Sequence, residues 1–463
     1  MYRRRPSSFT WTDLFCGAGG ASSGLVEAGA EIVLAANHWA TAIETHSANH
    51  PGTEHLCEDI NRLNMRRLPS TTGLWASVIC TEISPAGGRK RNRGQLELLE
   101  YGSIPVEAFE VTRATALDVI RATEVHRYDL VVVENVPAFA TDWALFGWWR
   151  DGMHLLGYRS QIISVSSAHV GDDSNDAAAQ WRNRIYIVFT RDGVPVPDLT
   201  PRPLAWCEPC GEDVRARQSW NPGRSIGEYR KQYRYVCPNS ACRHADVEPY
   251  IRPASTAIDW SDIGQRIGDR VKPLAARTMG KIVDGYRTYM TEPSLITVNH
   301  GGDSSRAIPA RFAPFPTRTV KIGDGLVVPP GAFITELRGG GSTHRPVSHP
   351  LATVSAGGNH HGLVIPYRRG SKAYPAGQPF HAMSTKVSGG LLQAERLEQP
   401  IGVDDLHFRM LKPREQLNAQ RFPGDYIVHG NVAEQTMQAG NAVSVNVARW
   451  IGEQAMAAMG GAA

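Results

Sequence analysis

The chain has 463 residues, of which 42% are hydrophobic, so it is long enough to form two or three domains that each bury a core. It contains no run of eighteen apolar residues and no apolar segment after its arginine-rich start, which predicts a soluble, cytoplasmic protein without a membrane partner. The net charge of +4 permits a polyanionic partner without requiring one.

A glycine-rich segment near the start, residues 13–20 with the sequence DLFCGAGG, joins two different patterns. Residues 9–12 are typical of a strand, and a helical pattern begins at Ser22. Such a strand–turn–helix lets the backbone approach a ligand where a Cβ would clash, and it directs the N–H groups of the helix start towards a polar or anionic group. The alternative, a purely structural corner, stays open at this point.

The next elements carry two candidate ligand contacts. Residues 31–36 form a short β-run that ends before His38, where nucleotide-binding sheets usually place a carboxylate that binds the ribose. A helix is predicted over residues 41–49, and Asp59 follows a third strand. Asp59 is placed to accept a hydrogen bond from an exocyclic amine, although a surface acidic turn explains it equally well.

Cys80 follows a fourth predicted strand, residues 74–79, in a sheet that the alternating pattern predicts to be parallel. The carboxyl end of such a strand is where doubly wound folds keep their active sites. A lone cysteine is more often a small buried hydrophobe than a nucleophile. Here the flexible loop 84–88 and the basic run 89–93 follow at once, and positive charge lowers a thiol pKa, which favours a reactive cysteine.

Charged residues also mark two later strands. A helix over about residues 106–126 leads to the apolar strand 128–133, which ends on Glu134. A carboxylate there is costly unless it is paired or protonated, so a functional role is favoured. Arg182 and Arg184 stand at alternate positions at the start of another strand, where they project from one face and can hold an anion or a base.

These motifs together resemble one enzyme family. DLFCGAGG, a cysteine followed four residues later by serine, ENV, QxRxR and a C-terminal GNAV occur in the order found in the DNA cytosine-5 methyltransferases that use S-adenosylmethionine. The resemblance covers residues 12–190 and about 403–453. It implies a Rossmann-like, doubly wound α/β catalytic lobe (1–200), an inserted β-rich target-recognition lobe that carries a zinc ribbon (201–402), and a C-terminal segment (403–463) that completes the catalytic lobe.

The resemblance also implies a role for each matching residue. Cys80 is the nucleophile that adds to carbon 6 of a flipped-out cytosine, and Glu134 engages ring nitrogen 3. Arg182 steadies the target base, and Arg184 supports the fold around it. The implied cofactor-binding residues are Phe15, Gly17, Gly19, His38, Trp39 and Asp59, with Asn441 and Val443 closing the site. The implied partner is double-stranded DNA, bound by a monomer in a nucleoid-associated setting of a prokaryote or phage.

Two departures from the family pattern keep alternatives open. The family has Pro-Cys-Gln where this chain has Ile79-Cys80-Thr81, and His38 replaces a ribose-binding glutamate. One alternative is a catalytically weakened relative that binds DNA as a decoy or regulator. Another is an enzyme of the same fold that acts on RNA or uses a modified cofactor. The retention of Cys80, Glu134, Arg182 and Arg184 together favours an active DNA methyltransferase.

Four of the seven cysteines cluster in the inserted region and predict a metal site. Cys207 and Cys210 are separated by two residues, and Cys237 and Cys242 by four, which is the pairing of a four-thiolate zinc ribbon within about residues 205–245. Four ordinary buried cysteines are the alternative, and His244 is a substitute ligand. Cys16 and Cys57 lie outside the cluster and are expected to be packing residues.

A weak repeat follows the cysteines, within about residues 295–393. Segments that begin at Pro316, Pro350 and Pro379 each run into a Gly-Leu pair followed by apolar residues, which predicts stacked β-hairpin units. Glycine- and histidine-rich loops recur between them. They are either repeated structural turns or loops presented to DNA, and their position in the family favours DNA.

Overall fold

The computed structural model describes residues 9–78, 106–276 and 403–460, with shorter segments at 278–280, 282–283, 294–297, 307–309, 324–327, 333–336, 344–347, 349–352 and 361–366. Cys80, with Ile79, Thr81 and the basic run 89–93, lies outside the described residues. Two compact units are present. The first comprises Met1–Ala257, Pro350–Asn359 and Pro413–Ala463, and the second comprises Ile258–His349 and His360–Lys412.

The first unit is built on a seven-stranded sheet. Up to residue 191, its strands in chain order are β1 (Thr10–Leu14), β2 (Glu31–Asn37), β3 (Glu54–Cys57), β4 (Gly73–Ala76), β5 (Leu130–Asn135), β6 (Tyr158–Ser166), the short β7 (Gln180–Trp181) and β8 (Asn183–Arg191). The order in the sheet is β3-β2-β1-β4-β5-β8-β6. The order reverses between β1 and β4, and in open α/β sheets ligands bind at such a reversal, outside the carboxyl ends of the strands.

The prediction of a parallel sheet is wrong for its last two strands. β1 to β5 run parallel, but β8 pairs antiparallel with β5, and β6 pairs antiparallel with β8. A chain that runs β6–β8 needs no crossover helix between these strands, so they can form an antiparallel pair. As a consequence the start of β8 lies at the same sheet edge as the end of β5.

Helices cover both faces of this sheet, as expected for a Rossmann-like fold. They are α1 (Gly20–Glu27), α2 (Ala40–Asn49), α3 (Val106–His126), α4 (Pro137–Thr141) and α5 (Phe146–Leu155). On β5, Val131 and Val133 join one hydrophobic core with Trp149 of α5. Leu130 and Val132, which point the other way, join a second core. The continuous apolar run of β5 is therefore explained by burial on both faces.

The C-terminal segment returns to the first unit as three helices, α6 (Pro413–Asn418), α7 (Val432–Asn441) and α8 (Val445–Ala458). Val447 and Ile451 of α8 belong to the second core, and α8 packs against α1. The contact is close because α1 carries Gly24, whose missing side chain leaves room for the Val445 carbonyl and Ala448. The C-terminal chain thus forms part of the α/β core.

Residues 201–257 also belong to the first unit, although the sequence placed them in the recognition lobe. They form five short strands: β9 (Leu204–Cys207), β10 (Glu212–Arg215), β11 (Arg217–Trp220), β12 (Tyr233–Val236) and β13 (Asp246–Val247). Two antiparallel sheets result, β10-β9 and β11-β12-β13. We call this segment the ribbon.

The second unit is β-rich. Its described strands are β14 (Gln265–Arg266), β15 (Ser294–Thr297), β16 (Ala307–Pro309), β17 (Asp324–Val327), β18 (Phe333–Glu336), β19 (His344–Pro346), β21 (His361–Pro366) and β22 (Leu406–Met410). Strand β20 (Leu351–Ala352) instead belongs to the first unit, where it pairs with β7. The two described Gly-Leu segments of the repeat are strands β17 and β21, in different sheets. Residues 403–412, predicted to complete the catalytic lobe, fall in this second unit.

Among the residues that the structure describes, further helical elements include 3-10 turns at Ile60–Arg62, Met65–Arg67, Ser167–His169, Ala254–Ala257, Ile267–Asp269 and Val403–Asp405. Within the described part of the chain, no helix combines the length and apolar character that a membrane span requires.

Candidate active site and metal cluster

The glycine turn joins β1 to α1 at the point where the sheet order reverses. Phe15 and Gly17 both adopt left-handed backbone angles, with φ of 60° and 53°. A Cβ placed on Gly17 would have no neighbour nearer than the Phe15 carbonyl oxygen at 4.0 Å, so one side of the turn is open. The N-cap residue Gly19 has no side chain to cap α1, and in the first turn the Ser22 backbone N–H interacts with the Asp13 carboxylate. The turn therefore fits a nucleotide-like cofactor.

The other side of the turn is closed by the C-terminal segment. Tyr426 donates a hydrogen bond from its hydroxyl to the Ala18 carbonyl, and a Cβ on Gly19 would lie 2.6 Å from that hydroxyl. A Cβ on Gly20 would lie 2.0 Å from the Val443 carbonyl oxygen. Val443 is buried, and Asn441 is exposed at the end of α7. Gly19 and Gly20 thus allow close packing, whereas Gly17 borders the open side.

His38, Trp39 and Asp59 follow the carboxyl ends of β2 and β3. His38 is exposed, and Trp39 is half-buried at the start of α2, where its N–H donates to Asn37 Oδ1 at 3.0 Å. Asp59 Oδ1 accepts hydrogen bonds from the backbone and side-chain nitrogens of Asn61, both at 3.1 Å, and the Asp59 side chain is 49% exposed. Asp59 therefore caps a turn, and it still presents a half-exposed carboxylate to this edge of the sheet.

The loop after Asp59 is held by a residue that the sequence did not single out. Arg121 of α3 donates hydrogen bonds to the carbonyl oxygens of Asn61 at 3.0 Å and Leu63 at 2.9 Å. Its position in the middle of an amphipathic helix, about sixty residues away, offers no sequence signal for this contact.

A buried polar chain behind the glycine turn was also missed. Asp13 is fully buried and its Oδ2 accepts a hydrogen bond from Ser22 at 2.7 Å. Ser22 lies 2.9 Å from His46 Nε2, and His46 Nδ1 lies 2.8 Å from Nε2 of the half-buried His55. The chain leads from the root of the turn towards the surface.

Burial shifts the pKa values of these groups in opposite directions. It raises the pKa of Asp13 to about 7, although the Ser22 hydrogen bonds partly oppose the shift. Burial and the charges of His50 and His55 lower the pKa of His46 well below its usual value. Burial also lowers the pKa of His50 to about 4. Because charged forms are disfavoured, we expect neutral histidines around this turn near pH 7.

Glu134 and Arg184 meet at the carboxyl end of β5. Glu134 is 6% exposed, and its Oε1 lies 2.9 Å from Arg184 Nε in an ion pair. The Oε1 atom is itself buried, and its charge is balanced by the Arg184 guanidinium. The antiparallel register explains the pairing, since Glu134 stands opposite Tyr186 and the first residues of β8 therefore reach its carboxylate.

The neighbouring Asn135 connects this edge to the strand that leads towards Cys80. Its side-chain amide donates to the Val78 carbonyl oxygen at 3.1 Å. Val78 precedes Cys80 by two residues in the sequence. The motif ENV therefore supplies both the carboxylate and an amide that holds the preceding strand end.

Arg182 occupies a different environment from Arg184. It is 2% exposed, and both of its terminal nitrogens donate to the Gly440 carbonyl oxygen at 3.2 Å. Burial and the charge of Arg184 lower its pKa to about 9, while Glu134 partly opposes this shift. Arg182 thus fastens the end of α7 to the start of β8, a contact that spans 258 residues.

The predicted residues therefore group into three sets. Phe15, Gly17, Gly19 and Val443 meet at the glycine turn, and His38, Trp39 and Asp59 follow the ends of adjacent strands at the same edge of the sheet. Glu134 and Arg184 touch directly, with Arg182 two residues away. The position of Cys80 relative to them is a prediction.

The four clustered cysteines converge on one point in the ribbon. Their sulfur atoms all lie within 4.8 Å of one another, with 4.0 Å between Cys207 and Cys242 and 3.9 Å between Cys210 and Cys237. Sulfur atoms bound tetrahedrally to zinc at 2.3 Å are separated by about 3.8 Å. None of the four is in a disulfide. The donor set and its spacing fit a structural zinc ion.

Hydrogen bonds around the sulfurs support the same interpretation. The Asn239 backbone and side-chain N–H groups approach Cys237 at 3.4 Å and Cys210 at 3.6 Å. A hydrogen bond from the Ala245 backbone lowers the pKa of Cys242 to about 7, whereas burial raises the pKa values of Cys207 and Cys237. His244 is bonded through Nδ1 to the Cys237 carbonyl and is not part of the cluster.

The two other described cysteines differ from each other. Cys16 is buried, as expected for a packing residue. The same expectation is wrong for Cys57, which is exposed at the end of the edge strand β3, where a single neighbouring strand cannot cover it.

Comparisons with known proteins agree with this fold. A model of the C-5 cytosine-specific DNA methylase family matches residues 9–205 and 348–457. Type II methyltransferase M.AgeI of Thalassovita gelatinovora is 23% identical over 193 residues, which is 39% of this chain and 39% of that protein. Type II methyltransferase M.HgiGI of Herpetosiphon aurantiacus is 36% identical over 89 residues, 19% of this chain and 71% of that protein. The match thus spans less than half the length of M.AgeI.

Among solved structures, a mutant of Spodoptera frugiperda DNMT2 superposes with a TM-score of 0.48 and 13% identity, covering 97% of this chain and 100% of that one. The Entamoeba histolytica methyltransferase EhMeth gives 0.47 and 11%, covering 98% and 99%. The assignment does not depend on these two, since the family model alone covers more than half of the chain. The prediction of a Rossmann-like, doubly wound α/β lobe with a β-rich insertion is confirmed, and the chain belongs to the C-5 cytosine-specific DNA methylase family.

Proposed function

We propose that this protein transfers a methyl group from S-adenosylmethionine to carbon 5 of cytosine in double-stranded DNA. The observation that carries the proposal is the buried Glu134–Arg184 ion pair at the carboxyl end of β5, next to the strand end that leads to Cys80. A carboxylate beside a guanidinium combines hydrogen-bond acceptors with donors, which suits the polar edge of a pyrimidine. Family membership supplies the reaction class.

The site divides into two halves. We name the glycine turn with His38, Trp39 and Asp59 the cofactor half, and Glu134, Arg182 and Arg184 with Cys80 the base half. In the cofactor half, the open side of Gly17 receives the polar part of the cofactor, and Trp39 and Asp59 receive the adenine. S-adenosylmethionine, when bound, supplies an electrophilic methyl group on a positively charged sulfur.

In the base half, the contacts favour an exchange of the roles first inferred for the two arginines. Arg184 touches Glu134 and is 13% exposed, so it is able to reach a bound base. Both terminal nitrogens of Arg182 donate hydrogen bonds to the Gly440 carbonyl oxygen, and Arg182 is only 2% exposed. We therefore assign base contact to Arg184, with Glu134, and support of the fold to Arg182.

The covalent chemistry is assigned to Cys80. Its thiolate adds to carbon 6 of a cytosine that has been rotated out of the duplex, while the Glu134 carboxyl engages ring nitrogen 3. The electron pair displaced from the 5,6 double bond makes carbon 5 nucleophilic. Carbon 5 can then take the methyl group that S-adenosylmethionine would supply, with the electron pair of the broken sulfur–methyl bond left on the sulfur of S-adenosylhomocysteine. Loss of the carbon 5 proton to a base then restores the double bond and expels the Cys80 thiolate.

Exposed charge on the ribbon supports a polyanionic partner. Arg215 and Arg217 are both exposed and stand two positions apart, on either side of the buried Ala216. Neither forms an ion pair with a residue in the described segments, whereas Arg230 and Arg234 are paired with Glu248 and Asp246. Arg215 ends β10 and Arg217 begins β11, and exposed arginines close together in the chain are suited to phosphate contacts. We propose that a monomer binds the duplex.

The test uses purified protein and S-adenosylmethionine with a tritiated methyl group. Label should enter unmethylated duplex DNA, and bisulfite sequencing should place it at cytosines in one sequence context. Duplex DNA with 5-fluorocytosine in that context should form a covalent adduct that maps to Cys80, because fluorine blocks the final elimination. Label that enters RNA alone would contradict the DNA substrate. Binding of DNA with no transfer and no adduct would favour a decoy or regulator.

A further inference from the structure

The ribbon packs directly against the strand start that carries the active-site arginines. Its aromatic core contains Tyr229, Tyr233 and Tyr235, and the half-buried Trp181 of β7 packs into the same hydrophobic cluster. Trp181 stacks on Tyr229 with ring centroids 5.9 Å apart and an interplanar angle of 22°. Trp181 is followed at once by Arg182. A side chain of the short strand β7, which directly precedes Arg182 and β8 in the chain, thus packs into the ribbon core.

A buried histidine completes this contact. His169 is 3% exposed and its ring lies edge-on to three aromatic rings, with centroids 5.1 Å from Trp181, 4.4 Å from Tyr229 and 5.1 Å from Tyr235. Neither of its ring nitrogens is hydrogen-bonded to a residue in the described segments. Burial lowers its pKa to about 3, so the ring is neutral and packs as an aromatic group. We call Trp181, His169, Tyr229 and Tyr235 the aromatic bracket.

A second attachment joins the ribbon to β6. Gln218 donates from its side chain to the Ser164 carbonyl oxygen at 2.7 Å, and the Gly227 N–H donates to the Ser164 hydroxyl at 3.2 Å. Ser164 stands opposite Ile185 in the β6–β8 register, and the next residue of β6 stands opposite Arg184. The ribbon therefore contacts β6, the strand that pairs with β8, in addition to Trp181 of β7.

The four-cysteine cluster is part of the same hydrophobic core of the ribbon. Cys207 and Cys237 are buried members of the hydrophobic cluster that contains Tyr229, and Cys210 and Cys242 pack against it. The ribbon strands are two to four residues long, too short to fold on their own. A metal that joins residues 207 and 210 to 237 and 242 stabilises such a segment by closing its loops. The position of Tyr229 between these two cysteine pairs makes its packing depend on that closure.

We infer that the zinc ribbon is a positioning element of the catalytic site, which holds Trp181, and through it Arg182 and Arg184, by means of the aromatic bracket. The catalytic part of this inference rests on the proposed function, but the mechanical part does not. The ribbon thereby positions residues of the α/β unit, a role that is separate from any contact with DNA. Tyr229 and His169 are positioning residues, since they act through Trp181.

The first experiment compares Tyr229→Ala with Tyr229→Phe in the full chain. Phenylalanine keeps the ring against Trp181 and loses only the hydrogen bond from the Tyr229 hydroxyl to Glu248 Oε2 at 2.6 Å. Hydrogen exchange measured by mass spectrometry should show faster exchange of peptides covering residues 180–185 in Tyr229→Ala and wild-type exchange in Tyr229→Phe. Peptides of β1 and α1 should be unchanged in both variants.

Kinetics separate positioning from general stability. For Tyr229→Ala we expect kcat to fall by between about tenfold and a hundredfold, as for small displacements of a catalytic group, with an unchanged Kd for S-adenosylmethionine. Tyr229→Phe should restore kcat. If Tyr229→Ala keeps wild-type exchange at residues 180–185, or if cofactor affinity and kcat fall together, the positioning role is wrong.

The second experiment leaves the sequence intact and removes the metal. Wild-type protein should contain about one zinc per chain by elemental analysis, and a strong chelator under reducing conditions removes the metal and leaves the thiols free. The metal-free protein should show faster exchange in the ribbon and in residues 180–185, and readdition of zinc should reverse both changes. Faster exchange confined to the ribbon would overturn the inference. These readouts need no methyl transfer, so a failure of the proposed function does not affect them.

Discussion

The two halves of the proposed site differ in exposure: the cofactor half has open main chain and half-exposed side chains, whereas the charged side chains of the base half are largely buried. Gly17 leaves backbone open, and Asp59 is 49% exposed at its side chain. Glu134 and Arg182 are 6% and 2% exposed. Backbone contacts tolerate side-chain changes, while a buried charge that loses its partner is costly. The comparison explains how the cofactor half can carry a departure such as His38, and it predicts that the base half tolerates few changes.

Removal of the thiol in the base half should have the largest effect. Cys80→Ala cannot form the adduct that activates carbon 5, so we expect no methyl transfer and retained DNA binding. Cys57→Ser is the matched control, because Cys57 is exposed and has no assigned role. Transfer is measured with tritiated cofactor and binding by gel shift. Full activity of Cys80→Ala would show that the nucleophile is another residue.

The buried carboxyl behind the glycine turn offers a test of the cofactor half through stability. The folded-state pKa of Asp13 is about 7, above its ordinary 3.8, so the folded protein binds this proton more tightly than the unfolded chain. The resulting stability is fully present below about pH 4 and is lost as the pH rises to about 7. Asp13→Asn has no ionisable group at this position, so it does not lose this stability as the pH rises. Its free energy of unfolding relative to wild type should therefore rise from pH 4 to pH 8, by up to about 4 kcal/mol.

Denaturant unfolding at several pH values measures this difference. His50, whose pKa is lowered to about 4, contributes stability that is lost as the pH falls from its ordinary 6.5, and this slope is common to both proteins. Asp173→Asn, at an exposed carboxyl, serves as the control. A difference between Asp13→Asn and wild type that does not vary with pH would show that Asp13 is ionised in the folded state throughout.

Neutralising the carboxylate of the base half should slow the reaction without abolishing it. Glu134→Gln keeps the shape of the side chain but loses the charge that faces Arg184, and it cannot serve as an acid–base partner for the ring nitrogen. We expect transfer to slow by about a hundredfold or more. The Kd for S-adenosylmethionine should stay at the wild-type value, which distinguishes the two halves. A parallel loss of cofactor binding would mean that the halves are coupled.

A smaller effect is expected at the edge of the cofactor half. Asp59→Ala should weaken binding of S-adenosylmethionine by roughly 1–3 kcal/mol, the cost of leaving a bound donor without an acceptor. Glu58→Ala is the control, because its carboxylate pairs with Arg67 at 2.9 Å instead. Titration calorimetry measures both. Equal affinities for wild type and Asp59→Ala would leave the capping of the Ile60–Arg62 turn as the whole role of Asp59.

The smallest expected change in cofactor affinity concerns His38, the residue that replaces the glutamate of the family pattern. His38 is exposed, so His38→Glu restores a charged acceptor at little structural cost. We expect cofactor affinity to improve by only a few-fold, since a hydrogen bond to a charged group at an exposed site is worth about 1 kcal/mol. The same calorimetry tests it, with His38→Gln as the uncharged control. An unchanged affinity would place the ribose away from residue 38.

Much of the α/β lobe could be predicted because its signals are local. The apolar run before Glu134, the glycine turn and the helix at residues 106–126 each depend on periodicity or backbone freedom within a few residues. The antiparallel direction of β8 could not be predicted, because an apolar strand looks the same in both directions. That direction decides which arginine reaches Glu134, and so the first assignment of Arg182 and Arg184 rested on the resemblance alone.

The contacts that the sequence did not reveal join residues far apart in the chain. Ser22 and His46 are ordinary helix residues in the sequence, and nothing local shows that they meet behind Asp13. Likewise, Tyr229 and Trp181 read as isolated aromatic residues, although they form the contact between ribbon and sheet. The four clustered cysteines could be recognised as a candidate metal site because metal binding restricts both the residue type and the spacing of the ligands. Aromatic packing restricts neither.

The hydrogen bond from Tyr426 to Ala18 can form only late in translation, because it joins the two ends of the chain. The two residues are 408 positions apart, so the glycine turn leaves the ribosome long before the residue that closes it. At 5–20 residues per second, the delay is about 20–80 s. During that interval the first strands can pair, but Gly19 and Gly20 lack the chain that packs against them. The glycine turn of the nascent protein therefore remains incomplete until translation has passed residue 443.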